Sequence, residues 1–196
     1  MPTPPDLIDF YAEAREFVVR AGYFWELETV QNRYFKDMDS AAFLEAYVFC
    51  VFNVGMKNQV AQIMFDRFCG SECDPKTIGH PYKREAIRTA LEKFPEWWGG
   101  LLNCSTDMER VEFLDTLPMI GAITKYHLAR NLGMDVAKPD RHLVRLIKQF
   151  QFGNVQEMCK FVADVTDDRI GTVDVVLWRA ANLGFDLNQT KFTVNE

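Results

Sequence analysis

Residues Leu117–Leu143 read LPMIGAITKYHLARNLGMDVAKPDRHL, and the punctuation in this stretch governs how the rest of the chain is understood. Pro118 lacks a backbone donor and restricts the residue before it, so the helical spacing of Val111–Thr116 has to stop there. Gly121 offers the backbone freedom and the missing side chain that a tight hairpin uses. Thr124–Leu132 then reads as a helix, with Asn131 and Gly133 at its end. Lys138-Pro139-Asp140 marks a further start, followed by an apolar stripe of Leu143, Leu146, Ile147 and Phe150 and a separate basic face of Arg141, Arg145 and Lys148.

Two chemical possibilities follow from this arrangement. A hairpin that runs into a helix N-terminus presents unpaired N–H groups, a seat for one phosphate, with the charge of Lys125 nearby. An aspartate at a helix start caps free N–H groups and is kept ionised by the helix dipole. Taken alone, Asp140 is an ordinary cap. The hairpin about 20 residues upstream gives the pair its specificity.

The bulk composition frames the reading. A chain of 196 residues, 48% apolar, can bury a sizeable core in one unit or two lobes. Its formal charge of −6 argues against indiscriminate nucleic-acid binding. Leu117–Lys148 nonetheless holds six bases (Lys125, Arg130, Lys138, Arg141, Arg145, Lys148) against two acids (Asp135, Asp140), a local +4. That is a cationic strip on an acidic protein, suited to a phosphate-rich ligand. Five cysteines form no disulfide framework, and Cys69 and Cys73 have no second pair at metal-ligand spacing. The opening MPTPPDLIDF lacks a leader pattern, and no apolar run is long enough to span a bilayer. A soluble, cytoplasmic protein without a membrane association is expected.

Elsewhere the periodicity is helical. Asp6–Val19 has apolar residues near a period of 3.6, and Asp39-Ser40 caps a strongly apolar helix interrupted at Gly55. Helical spacing resumes to Gly70, and a helix follows from about Pro81 to Phe94 before the break PEWWGG. Ser105, Thr106 and Glu109 make a capping-box start. Two more helices fit near Val155–Val165 and Thr172–Leu183. No alternating strand series is visible, so the fold class is all-α.

Leu117-Pro118-x-x-Gly121-x-x-Thr124, a helix, then Asp140 with His142 two residues on, resembles the helix-hairpin-helix (HhH-GPD) DNA glycosylase superfamily, whose signature is a hairpin of the LPGVGxKTA type and a later catalytic aspartate. The match spans about 30 residues. The resemblance implies a single two-lobed helical unit over 1–196, with a hairpin-bearing lobe at 36–150, a second lobe from 1–35 and 151–196, and the active cleft between them. It also implies a monomer acting on double-stranded DNA with a modified base flipped out. Asp140 would stabilise the oxocarbenium-like transition state of N-glycosidic cleavage. Pro118, Gly121, Thr124, Lys125, Lys138, Arg141 and Arg145 would hold the DNA. No cofactor is implied beyond a structural monovalent cation at the hairpin.

Members that also cut the backbone carry a lysine just before the hairpin threonine, where this chain has Ile123. Lys125 lies about 200° further round the helix and faces elsewhere. Hydrolysis without lyase chemistry is expected. The AKPDRHLVR form is similar to a phage-associated branch, the glutamyl/putrescinyl-thymine pyrophosphorylases, which points toward a modified pyrimidine. Two alternatives are a transferase acting on the pyrimidine 5-substituent and a non-catalytic DNA-binding module. The segment VFNVGMKNQ falls where the family has its intercalating loop, which nominates Asn53, Met56, Lys57 and Asn58; a plain turn between core helices explains it equally. Trp25, Trp97, Trp98 and Trp178 are candidate stacking walls or core residues, and Asp174 and Trp178 share a helix face. His127 and His142 lack metal-site spacing.

Overall fold

The computed structural model describes residues 4–186, and all regular structure among them is helical. Ten α-helices follow in order: α1 (Pro4–Arg20), α2 (Phe24–Gln31), α3 (Ser40–Asn53), α4 (Asn58–Gly70), α5 (Pro81–Leu102), α6 (Asp107–Leu114), α7 (Thr124–Asn131), α8 (Arg141–Phe150), α9 (Val155–Thr166) and α10 (Ile170–Asn182). None is long and apolar enough to cross a membrane.

Local chemistry sets most of the starts. Asp39 accepts the Ala42 N–H at 2.8 Å to open α3. Thr106 and Glu109 satisfy each other's N–H groups in a capping box at α6. Asn154 caps α9 by accepting from Glu157 N–H. Helix α2 carries no such signal: Tyr23 makes no side-chain cap bond and only Leu27 is buried along it. Its absence from the periodicity follows from that.

Helix α5 runs further than its sequence suggests. PEWWGG reads as a break, yet the helix continues through Pro95, Gly99 and Gly100 to Leu102. An interior proline costs about 3 kcal/mol. Burial of Trp97 and Leu101 beyond it offsets that cost. Gly100 serves packing, since a Cβ there would come within 2.5 Å of the Phe113 ring of α6.

The described chain divides into two compact units, one of residues 4–33 and 135–186 and the other of residues 34–134. The sequence grouping differed, assigning 135–150 to the middle lobe. In the structure the α8 stripe of Leu143, Leu146 and Phe150 is buried with Leu7, Phe10 and Tyr11 of α1, which joins it to the terminal unit. Helices α1 and α2 pack on α10 in that unit, and α9 packs on α8 and α10. In the middle unit α3 is the hub, touching α4, α5 and α7. Phe43, Tyr47, Cys50 and Val51 of α3 are fully buried there.

Candidate active site and nucleic-acid interface

In the middle unit, α6, residues 115–123 and α7 form a helix, a hairpin and a helix. Leu117 and Ile120 are buried and anchor the hairpin, whereas Pro118, Gly121, Ala122 and Ile123 are exposed. Ile120 N–H donates to Leu117 O at 3.1 Å across Pro118 and Met119, closing a turn with proline second and a left-handed residue third. That third residue is Met119, at φ 63°. The sequence reading gave the conformational burden to Gly121, and the structure corrects it: Gly121 is outside the left-handed region, and a Cβ there would meet nothing within 4 Å. Met119 stands where the LPGVG pattern has its first glycine, a signal the sequence contained.

Tyr47 of α3, fully buried, donates from its hydroxyl to Pro118 O at 2.7 Å and fixes the hairpin from below. The N–H groups of Gly121, Ala122, Ile123 and Thr124 donate to no carbonyl among the described residues. They therefore present the run of donors that suits an anion. Lys125 is a correction to the expected phosphate contact. Its ammonium is buried in ion pairs with Glu112 at 2.9 Å and Asp115 at 3.1 Å, so it ties α7 to α6. The Glu112 carboxylate, with Asp115, holds that ammonium charged above its ordinary range. Ile123 is half exposed, with no lysine in its place.

The turn between α3 and α4 holds the other middle-unit candidates. Asn53 ends α3, Met56 N–H donates to Asn53 O at 3.1 Å, and Gly55 takes the left-handed φ of 69° that the turn requires. Lys57 and Asn58 are exposed at the start of α4. Beneath them lies a residue the sequence did not single out. Lys83 is buried, and its ammonium donates to Phe52 O at 2.7 Å and Val54 O at 2.8 Å, at the carbonyl end of α3. Burial lowers its pKa. Nothing in HPYKRE announces this, because the carbonyls it meets are 29 and 31 residues away.

The carboxylate candidate belongs to the terminal unit. Asp140 is the N-cap of α8, and its Oδ1 accepts the N–H groups of His142 at 2.8 Å and Leu143 at 3.1 Å. Its Oδ2 accepts nothing among the described residues. Asp140 N–H donates to Lys138 O at 2.8 Å across Pro139. Hydrogen bonds to α9 and α10 hold the segment leading to it. Gln156 accepts Ala137 N–H at 2.9 Å, Asp174 accepts Lys138 N–H at 3.1 Å, and Asp135 accepts Gly171 N–H at 3.1 Å. Arg141 and Arg145 are exposed beside the cap, and Lys138 is partly buried.

The tryptophans separate. Trp97 is buried in the middle unit, 5.4 Å from the Tyr47 ring, and Trp98 lies 5.3 Å from Phe35. Trp25 is 64% exposed. Trp178 is half-buried against the terminal core, with the Arg179 guanidinium 4.7 Å from its ring. Asp174, which shares its helix face, is fully buried and bound to Lys138 N–H.

No protein-family model matches the chain, and no curated protein matches it. Solved structures do. The fold is the all-α helix-hairpin-helix DNA glycosylase fold. One similar structure is the Methanocaldococcus jannaschii 8-oxoguanine glycosylase/lyase in complex with a 15mer DNA containing 8-oxoguanine. It is 15% identical with a TM-score of 0.67, and the match covers 85% of this chain and 94% of that one. Another is the 8-oxoguanine DNA glycosylase of Thermotoga maritima, 19% identical with a TM-score of 0.66, covering 95% and 100%.

Proposed function

We propose that this protein is a monofunctional DNA glycosylase that hydrolyses the N-glycosidic bond of a flipped-out modified base in double-stranded DNA and leaves an abasic site. The observation that carries the reading is the division of labour in Asp140: Oδ1 is committed to capping α8, while Oδ2 accepts nothing among the described residues. Cleavage builds positive charge on the deoxyribose, and a fixed carboxylate next to C1′ stabilises that charge and orients water. The hairpin N–H groups of Gly121–Thr124 take a backbone phosphate, and Arg141, Arg145 and Lys138 supply further cationic contacts. Asn53, Met56, Lys57 and Asn58 probe the duplex, and Trp178 borders the base pocket. The protein works as a monomer.

The absence of lyase chemistry rests on Ile123, exposed where a Schiff-base amine would be needed, and on Lys125, whose ammonium is held by two carboxylates. The substrate class is a modified pyrimidine, offered on the sequence resemblance. Because the similar structures are 8-oxoguanine glycosylases, 8-oxoguanine is the comparison arm. Duplexes carrying one modified pyrimidine, or 8-oxoguanine, are incubated with the protein and analysed for free base, altered base and strand breaks. Free base with an intact abasic strand, and no borohydride-trapped adduct, is the expected result. An altered base still attached to the strand would mean transferase chemistry, and binding without any change would mean a DNA-binding module.

A further inference from the structure

Asp174 is a carboxylate in the middle of α10, 1% exposed. Burying a carboxylate is costly, and such a group calls for an explanation. Its Oδ2 accepts the N–H of Lys138, whose own carbonyl accepts the N–H of Asp140 at 2.8 Å. One hydrogen-bonded chain thus runs from α10 through the Lys138 peptide to the backbone of the α8 cap. Pro139 stiffens the link by fixing its own φ. Val136 and Ala137 are buried, so the preceding backbone cannot swing to compensate. The thiol of Cys159, buried on α9, is pushed up by burial and then by the Asp174 and Asp140 carboxylates.

We propose that Asp174 is the positioning residue of the site: through the Lys138 peptide it sets the direction in which the Oδ2 of Asp140 points. It touches neither sugar nor base. The inference rests on the glycosylase reading. A carboxylate that must sit beside a developing cation loses most of its effect when misplaced by about 1 Å, although DNA contacts made elsewhere survive.

The test uses a probe that does not require the substrate base to be known. Binding of the full chain is compared on two duplexes, one with a cationic pyrrolidine and one with a neutral tetrahydrofuran in place of a single nucleoside. The wild type is expected to prefer the cation by about tenfold or more, and Asp140→Asn to lose that preference. Asp174→Ala is expected to lose most of the preference while its tetrahydrofuran affinity stays within about twofold. Asp174→Asn, whose amide oxygen can still accept the Lys138 N–H, is expected to retain it. Amide exchange at Lys138 should accelerate in Asp174→Ala and not in Asp174→Asn. Wild-type preference in a folded Asp174→Ala would overturn the positioning role, as would its loss in a folded Asp174→Asn with unchanged Lys138 exchange. A wild type with no preference for the cation would defeat the Asp140 assignment itself, and this inference with it.

Discussion

Replacing Asp140 with asparagine keeps an oxygen for the N–H groups of His142 and Leu143 and removes the charge. Asparagine caps helices about as well as aspartate, so Asp140→Asn should leave the unfolding midpoint almost unchanged. Base release should nevertheless fall by about 100-fold or more, the usual cost of losing one preorganised electrostatic contact. Asp140→Ala adds a stability loss of about 1 kcal/mol from the missing cap. Single-turnover kinetics beside calorimetry would separate the two effects, and an Asp140→Asn enzyme with full activity would sink the assignment. Lys125 teaches the converse at the same scale. Its position on α7 looks right for a phosphate, yet the nearest anions are in its own unit and claim it first.

At the scale of elements, glycines with different jobs give opposite predictions. Gly121 has room for a Cβ and no left-handed backbone, so Gly121→Ala should unfold at the wild-type temperature. If a phosphate approaches the hairpin N–H groups there, duplex affinity should fall by roughly fivefold or more, since backbone approach is what a glycine permits. Gly133 ends α7 at φ 80°, and a Cβ would come within 2.5 Å of the Tyr34 carbonyl carbon and 2.7 Å of Phe35 N. Backbone atoms cannot rotate aside, so Gly133→Ala should cost about 2–3 kcal/mol in denaturant titration. The α3–α4 turn depends on Lys83. Lys83→Met keeps the bulk but leaves Phe52 O and Val54 O without their donor, a loss of about 1–3 kcal/mol measurable by thermal unfolding.

For the whole molecule, alkaline pH should act on both units through buried phenols. Burial, and then the Asp168 carboxylate that accepts from its hydroxyl at 2.6 Å, raise the Tyr11 pKa far above the ordinary 10.0. Burial raises Tyr47 in the middle unit in the same direction. Each phenol keeps its proton in the folded chain and releases it near pH 10 once unfolded, so their stabilisation is complete below that value and declines as pH rises past it. Thermal unfolding followed from about pH 8 to 11 should show the midpoint dropping above 10, and Tyr47→Phe should blunt the drop. A flat profile would contradict the burial of both rings.

Much of this was legible in local sequence. The caps at Asp39, Thr106 and Asp140 act on N–H groups two or three residues away, so they can be read wherever they occur. The Leu143–Phe150 stripe declared its helix and its buried face, because periodicity is a property of neighbours. Pro118 and Asp140 marked the hairpin and the cap on the same grounds. The tertiary structure decided everything that hangs on partners distant in the chain. It carried α5 through Pro95, moved the left-handed burden from Gly121 to Met119, and turned Lys125 inward. It also put Lys83 beneath the α3–α4 turn and bound Asp174 to the Lys138 peptide. A side chain's type fixes what it can bond, but which groups come within about 3 Å of it is set by packing over long separations.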